Sequence, residues 1–489
     1  MATNVEKKDD GAKKSSGLRS TRKLFARWTG LRHAVKRTTK ALVGPREPAR
    51  EPPRILIDST YAKRTFKKAE LEKLFEKRKK RVYDLAPAPA DLEKAVPDDV
   101  EAVGEDATVV IDAGSFLTRI GLTGEGEPRM VVASVVGFAG GPKTPDAHAA
   151  GAAGAAAHPD CYVRPLYRNA YADWDAAEKL WRHALFATEA FDVSPDRPGP
   201  PVVSDSGAGR VVITVPVLQP KATIQRMVEI VIDELGAEEC HVGVAPVLAL
   251  YGQGYTTGLV LDVGAQSARA LPVIDGFATP HALCVDAELS GDRLNAYAAD
   301  FLRARGCAFA SNRAANAAGE ALKRTRGVVA WSDRDPVTEA TFEVTAAWTA
   351  EPKTIALTPE DRKLLGEPLF NPKKVDKQAK TKGLAALIKQ SIYKSEEDMR
   401  VTLWGGVLLV GGGSSLNGTP ERLEEDLFII SPDTIDVAVT ASPGRDVMAW
   451  QGGAYLTTLP EFENNWIHVE DREDPELFKQ RLKDTEYNC

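Results

Sequence analysis

The chain has 489 residues, 43% of them hydrophobic, and a formal net charge of −6 at pH 7. This length predicts at least two folding units, and the composition excludes a fibrous or wholly disordered protein. The mild net charge points to no class of partner. Because no apolar run approaches the ~20 residues needed to cross a bilayer, we expect a soluble protein without membrane insertion.

The cysteines indicate the compartment. They are odd in number and form no CxxC pair: Cys161, Cys240, Cys284, Cys307 and Cys489. A chain of this size without a disulfide pattern is typical of a reducing compartment. We therefore expect an intracellular protein, cytoplasmic, cytoskeletal or nuclear.

Residues 1–105 differ from the rest of the chain and predict a basic extension. Residues 17–40 contain eight Arg or Lys and no acid, with apolar residues interleaved at roughly helical spacing. Three interpretations stay open: a solvated tail that orders on a partner, a contact with nucleic acid or another acidic surface, and a mitochondrial presequence. The early acids Glu6, Asp9 and Asp10 disfavour the presequence.

A second basic stretch, from Lys63 to Leu85, predicts a charged helix. Its apolar stripe is narrow and consists of Leu71, Leu74, Phe75 and Val82. Such a helix is not stable alone, so we expect it to pack on the main body or on a neighbour. The Pro- and Ala-rich residues 85–97 predict a spacer.

From Ala107 onward the pattern alternates between strands and helices, which favours an α/β fold. Hairpins are predicted at 109–121 and 258–276, each with an Asp-x-Gly turn, and the interval between them suggests an internal duplication around a cleft. Residues 139–157 are rich in Gly, Ala and Pro and predict a mobile loop. Further helices are predicted at 171–187, 221–236, 289–304 and onward to 326. A strand is predicted at 209–218, and another that enters a glycine turn at 401–415.

Several segments, in unbroken order, resemble actin and the actin-related proteins. The hairpins 109–121 and 259–272 are similar to the family's two phosphate loops, and 408–423 is similar to its adenosine loop. Stretches without a catalytic duty also match, at 171–186, 215–236, 246–264, 288–297 and 450–467. The resemblance implies a duplicated actin-like fold, shared with hexokinase and the heat-shock chaperone ATPases, with residues 106–489 as one actin-like domain after the extension.

The resemblance also implies a site for ATP or ADP with Mg²⁺. Glycine turns can bring backbone N–H groups close to phosphates. Two strand-end carboxylates, Asp112 and Asp262, would hold Mg²⁺ through its water shell. The implied nucleotide-binding residues are Gly114, Ser115, Phe116, Arg119, Asp262, Gly264, Lys323, Gly411, Gly412, Gly413 and Ser414.

The chain departs from the family where hydrolysis takes place. This chain has Ala245 where the family has its water-positioning glutamine, Arg269 where it has a histidine, and Ala265-Gln266 where it has Asp-Gly. We therefore expect no catalytic residues and weak or absent hydrolysis. Phe116 replaces a glycine, and Asp446 replaces an adenine-side lysine. Three states stay open: an empty site, a bound but scarcely hydrolysed nucleotide, and real turnover.

Two surfaces bear on assembly. The loop 138–163 lacks the apolar tip with which actin enters the next protomer, and 330–365 is shorter than in actin, so we expect poor self-polymerisation. A partner groove is implied by the hydrophobic residues Tyr251, Leu456, Leu459 and Phe462. An ordinary core role for these four residues is the alternative.

Together these features predict an actin-related protein that acts as a non-filamentous or capping-type structural subunit of a larger assembly. Its partners would be other subunits, reached through the basic arm 17–85 and the groove. A chromatin-remodelling, dynactin-like, ciliary or organelle complex would each suit. The alternatives are an active ATPase or kinase of the same superfamily, an actin-like filament component, and a nucleic-acid binder that uses its arm.

Overall fold

The computed structural model of the chain describes residues 90–94, 107–138, 148–151, 162–186, 202–203, 208–330 and 337–487. The predictions for the basic arm 17–85 and for most of the loop 138–163 lie outside these residues. Apart from residues 431–436, the described residues belong to one compact unit. Within the described part, no helix is both long and apolar enough to cross a membrane.

Nineteen strands lie within the described residues: β1 (Thr108–Ala113), β2 (Leu117–Leu122), β3 (Met130–Ala133), β4 (Val136–Phe138), β5 (His148–Ala150), β6 (Tyr162–Val163), β7 (Leu166–Tyr167), β8 (Ala170–Tyr171), β9 (Arg210–Val215), β10 (Glu239–Val244), β11 (Gly258–Val263), β12 (Ala268–Ile274), β13 (Phe277–Ala278), β14 (Cys284–Asp286), β15 (Ala340–Val344), β16 (Lys353–Leu357), β17 (Val407–Val410), β18 (Val439–Thr440) and β19 (Ile467–His468).

Twelve α-helices accompany them in the same described ranges: α1 (Trp174–Leu185), α2 (Lys221–Glu229), α3 (Ala245–Gly252), α4 (Gly291–Ala304), α5 (Asn312–Arg326), α6 (Pro359–Leu364), α7 (Pro372–Val375), α8 (Leu384–Lys394), α9 (Arg400–Gly405), α10 (Thr419–Ile430), α11 (Met448–Leu456) and α12 (Pro475–Tyr487). The alternation of strands and helices confirms the α/β class.

Two six-stranded sheets define two lobes. The first has the order β19-β10-β9-β1-β2-β3; the second has the order β13-β12-β11-β17-β18, with β14 on β12. In each sheet an antiparallel hairpin, β1–β2 or β11–β12, continues into parallel pairing, β1 with β9 and β11 with β17. The first strand of each hairpin is almost wholly buried, as its apolar run predicts for a central strand. The duplication expected from the sequence is therefore present.

Helices α3 and α11 pack on each other between the two sheets at backbone contact distance. A Cβ atom at Gly452 would lie 1.6 Å from the Leu248 carbonyl oxygen, and one at Gly252 would lie 2.8 Å from the Met448 carbonyl oxygen. The main buried cluster extends from this contact into both lobes, from Val109 in β1 to Val260 in β11. The two glycines permit an approach that no larger residue allows.

Three predicted elements differ from the structure. The strand predicted from residue 401 begins only at Val407, because Arg400–Gly405 forms the helix α9. The helix predicted for 221–236 ends as α at Glu229 and continues as a π turn over Ile230–Glu234, which leaves the consecutive Ile230, Val231 and Ile232 all buried. Within the 138–163 loop, the described parts form strands β5 and β6 on β4. A composition rich in Ala and Gly had indicated only a loop.

We predict that Gly452→Ala destabilises the fold by about 3 kcal/mol, because its Cβ overlaps the Leu248 carbonyl and overpacking forces the helices apart. Urea unfolding of the full chain measures this change. The matched control is Gly126→Ala, because a Cβ there meets nothing within 4 Å. Equal stability of the two variants would contradict the close α3–α11 contact.

Candidate functional site

A cavity of about 330 Å³ lies between the two hairpins, a size that suits a small organic ligand. Its floor is formed by the turns of both hairpins and by the glycine loop after β17, and its sides by α4 and α5. The predicted residues that line it are Asp112, Gly114, Ser115, Phe116, Arg119, Asp262, Gly264, Lys323, Gly411, Gly412 and Gly413. The structure thus brings together residues that are up to 300 positions apart in the sequence.

Glycine turns bring the backbone to this cavity. A Cβ at Gly114 would lie 2.4 Å from the Leu117 carbonyl oxygen, so the first hairpin turn requires glycine. Gly411 has φ +89°, and a Cβ there would lie 2.5 Å from an Asp262 carboxylate oxygen. Ser414 does not line the cavity. Its hydroxyl donates to the Gly411 carbonyl at 2.7 Å and accepts from Arg445 at 3.0 Å, so it shapes the loop.

Each hairpin places an aspartate directly opposite an arginine. The cross-strand partners are Asp112 and Arg119 in the first hairpin, and Asp262 and Arg269 in the second. The guanidinium nitrogens lie 3.4 Å and 3.0 Å from the carboxylate oxygens, respectively. Arg119 also contacts Asp446 at 3.1 Å. Since directly opposed side chains of opposite charge attract, this pairing follows from the register.

Burial changes the ionisation of these carboxyls. It raises the pKa of Asp112 above its ordinary value, although Arg119 and a 2.9 Å hydrogen bond from the Thr214 hydroxyl act in the opposite direction. Burial likewise raises the pKa of Asp262, against the effect of Arg269. The arginines thus stabilise the charged form of each carboxyl group, which burial alone disfavours.

The other acidic side chains of the cavity wall are also paired with arginine. Asp292 contacts Arg164 at 3.0 Å, and Glu320 contacts Arg324 at 3.2 Å. With the two hairpin aspartates, Asp112 and Asp262, and with Asp446, all five acids that line the cavity are ion-paired. No histidine lies among the described lining residues. The described wall therefore offers no unpaired base.

Family comparison agrees with this geometry. The family model described as Actin matches residues 103–345 and 351–475. The chain belongs to the actin family. The predicted actin-like fold, with two lobes around a cleft, is thereby confirmed. Members of this family generally bind ATP or ADP with Mg²⁺.

The magnesium site of the actin family is a poor fit to the residues present here. Mg²⁺ needs oxygen ligands or an ordered water shell held by carboxylates, but Asp112 and Asp262 each already contact a guanidinium group. Among the described residues, no cluster of three or more His, Cys, Asp or Glu side chains could hold a metal ion. Two orphaned polar atoms of the second hairpin, Arg269 Nε and Gln266 Nε2, are N–H donors that cannot ligate a metal.

Phe116, which replaces the glycine of actin, lines the cavity and has packing contacts of its own. It packs beside Ala133, Val135 and Tyr162, and the Arg164 guanidinium lies 5.2 Å from its ring centre. The aromatic side chain therefore forms part of the wall where the small sheet β4–β5–β6 meets the first hairpin.

The adenosine side of the cavity contains Lys323 and two residues that the sequence reasoning missed, Glu320 and Arg324. Burial lowers the pKa of Lys323, with Glu320 and Asp292 opposing the effect. The second carboxylate oxygen of Glu320 is buried without a hydrogen-bond partner. The spacing of Glu320 and Lys323 on α5, one helical turn apart, was the signal that could have identified Glu320.

A short segment of the extension, which we call the strap (residues 90–94), reaches the cleft. Lys94 pairs with Val131 of β3, and Glu93 accepts a 2.8 Å hydrogen bond from the Ala133 N–H. Asp91 contacts Arg324 of α5 at 2.7 Å, and Leu92 lines the cavity. The strap therefore joins the two lobes. The prediction of a spacer at 85–97 is wrong for residues 90–94, because a Pro- and Ala-rich composition gives no signal of long-range pairing.

Three further contacts cross the cleft. The Arg164–Asp292 ion pair joins the end of β6 to the start of α4, and Arg164 is 1% exposed. The Arg313 guanidinium of α5 lies 4.0 Å from the Tyr162 ring centre. The Arg168 N–H donates to the Gln266 side chain at 2.5 Å. The lobes are thus linked by protein contacts alone.

The predicted partner groove is only partly accessible. Phe462 is buried between His241 and Trp466, in a cluster with Trp450. Leu456 and Leu459 are partly buried at the edge of this cluster, and Tyr251 is half-buried elsewhere, against the main core. Phe462 therefore has a core role in this structure, while the other three retain some exposed surface.

We predict that Glu93→Ala lowers the free energy of unfolding by about 1–3 kcal/mol, because the buried N–H of Ala133 loses its acceptor. Thermal or urea unfolding of the full chain provides the measurement. Glu127→Ala is the matched control, since Glu127 is 78% exposed and contacts Lys94 of the same strap. If both variants are as stable as the wild type, the Glu93–Ala133 hydrogen bond does not contribute to stability, and the strap is held at β3 by the Lys94–Val131 pairing alone.

Proposed function

We propose that this member of the actin family is a non-filamentous or capping-type structural subunit of a larger intracellular assembly, and that its cleft holds an adenine nucleotide that it scarcely hydrolyses. The proposal of weak hydrolysis rests on the pairing of every acidic side chain of the cavity wall with arginine. The proposal of a non-filamentous subunit rests on the contacts of the loop 138–163.

Hydrolysis requires a group that orients water and accepts its proton. Ala245 and Ala265 line the cavity and can do neither. A carboxylate could act as the base in principle, but every acid of the wall contacts a guanidinium group, so none is an unpaired acceptor for the proton of water. The wall therefore supports binding better than turnover.

The cross-cleft contacts favour a closed state. The strap and the pairs Arg164–Asp292 and Arg313–Tyr162 join the lobes across the cavity. A nucleotide bound beneath them would exchange slowly, because exchange requires these contacts to open. This arrangement suits a nucleotide that serves the fold.

We expect steady-state phosphate release from ATP and Mg²⁺ by the full chain to remain at the level of the protein-free blank. Gly412→Phe controls for contaminants, since Gly412 lines the cavity and its Cβ would enter open space, where a phenyl ring would obstruct binding. Release well above the blank that Gly412→Phe abolishes would contradict the proposal and favour the alternative, an active ATPase of the superfamily.

Part of the loop 138–163 is tied to the chain's own body. β5 pairs with β4, and the Gly151 N–H donates to the Val135 carbonyl at 3.0 Å. Ala150 is 2% exposed, and a Cβ at Gly151 would lie 2.8 Å from the Glu93 carboxylate. Backbone groups engaged in this way are not available to a neighbouring protomer, which supports a subunit that does not polymerise.

We expect the full chain to elute with the mass of one copy in size-exclusion chromatography with light scattering, at low salt and in polymerising salt with Mg²⁺ and ATP. Actin under identical conditions is the positive control. Filaments of the pure protein that sediment on addition of salt would overturn this half of the proposal and favour an actin-like filament component.

A further inference from the structure

The two hairpins repeat one arrangement of charges. In each, an aspartate at the end of the first strand faces an arginine seven residues later, as Asp112 with Arg119 and Asp262 with Arg269. The two pairs are independent observations, because the hairpins share no residue. The cavity therefore carries one guanidinium group from each hairpin.

Charge in the cavity is balanced without an added cation. Five acids line it, and so do five cationic residues, Arg119, Arg269, Lys323, Arg324 and Arg445. Arg164 adds a sixth positive charge from just behind the wall, on Asp292. In this wall a divalent cation would lie close to two guanidinium groups and be repelled by both.

The second hairpin also holds donors that lack a partner. Gln266 is 6% exposed and lines the cavity, yet its Nε2 atom has no hydrogen-bond acceptor. Arg269 contacts Asp262 through one terminal nitrogen, while its Nε is buried and unpaired. Buried donors without acceptors cost free energy, and oxygens of an anionic ligand would satisfy donors of this kind with small side-chain shifts.

We propose that the cleft binds the phosphates of an adenine nucleotide directly through Arg119 and Arg269, without a divalent cation. This inference rests on the proposed nucleotide-binding function. A guanidinium group has five N–H donors, so Arg119 and Arg269 can keep their aspartates and still donate to phosphate oxygens. Arginine matches phosphate geometry with two parallel hydrogen bonds, where a lysine or histidine offers a single point of contact.

The first experiment measures the affinity of the full chain for ADP by calorimetry, once in excess EDTA and once in Mg²⁺. We expect the two dissociation constants to agree within about threefold, a difference below 1 kcal/mol. Affinity that EDTA lowers tenfold or more, and that Mg²⁺ restores, would overturn the inference but leave the nucleotide-binding function intact. Absence of binding in both conditions would overturn the nucleotide-binding function itself, and the inference with it.

The second experiment separates the two partners of one pair. Asp262→Asn leaves Arg269 free, so we expect ADP to bind at least as tightly as to the wild type in both conditions. Were Asp262 instead a holder of hydrated Mg²⁺, the same change would weaken binding in Mg²⁺. The substitution preserves shape, and a thermal unfolding scan confirms that the variant folds.

The complementary variant removes the guanidinium. We expect Arg269→Gln to weaken ADP binding in EDTA by about tenfold or more, the effect of one lost charged hydrogen bond, and to create a dependence on Mg²⁺, because Asp262 becomes available. Arg303→Gln is the matched control, since Arg303 lies on α4 of the same lobe and contacts the exposed Asp300. Unchanged affinity of Arg269→Gln in EDTA would contradict the assignment.

Discussion

The pairing of strand-end aspartates with arginines on the facing strand is the interaction on which the rest of the cleft depends. The register of each hairpin sets this pairing, because a residue and its cross-strand partner cannot be moved apart without shifting the whole hairpin. With Asp112 and Asp262 each in contact with a guanidinium group, neither is an unpaired carboxylate, and the residues of the wall fit a divalent cation poorly.

The sequence predicted much of this site because its signals are local. Apolar strands that end in Asp-x-Gly identified both hairpins, and Gly411 to Gly413 marked the third loop. Arg119 and Arg269 were also singled out, each as a replacement for another basic residue. Their pairing was missed because it depends on the number of residues in each turn: a turn one residue longer would have placed Ile120 opposite Asp112.

The contacts that cross the cleft could not be predicted in the same way. The Asp91–Arg324 and Arg164–Asp292 pairs join segments more than 100 positions apart, and neither partner stands in a periodic pattern. The strap was obscured further by its Pro- and Ala-rich surroundings, which indicate a spacer. A single sequence reports well on strand ends and glycine turns, but which surface charges meet is decided only when both lobes are folded.

The strap gives the extension a role next to the cleft. It lies before residue 103, where the match to the family begins, and yet Leu92 lines the cavity and Asp91 holds Arg324 on the adenosine side. A partner that binds the preceding basic arm would act on a segment connected directly to residue 90. A force on residue 90 would break the Asp91–Arg324 contact first, because this exposed ion pair contributes less free energy than the buried hydrogen bond of Glu93.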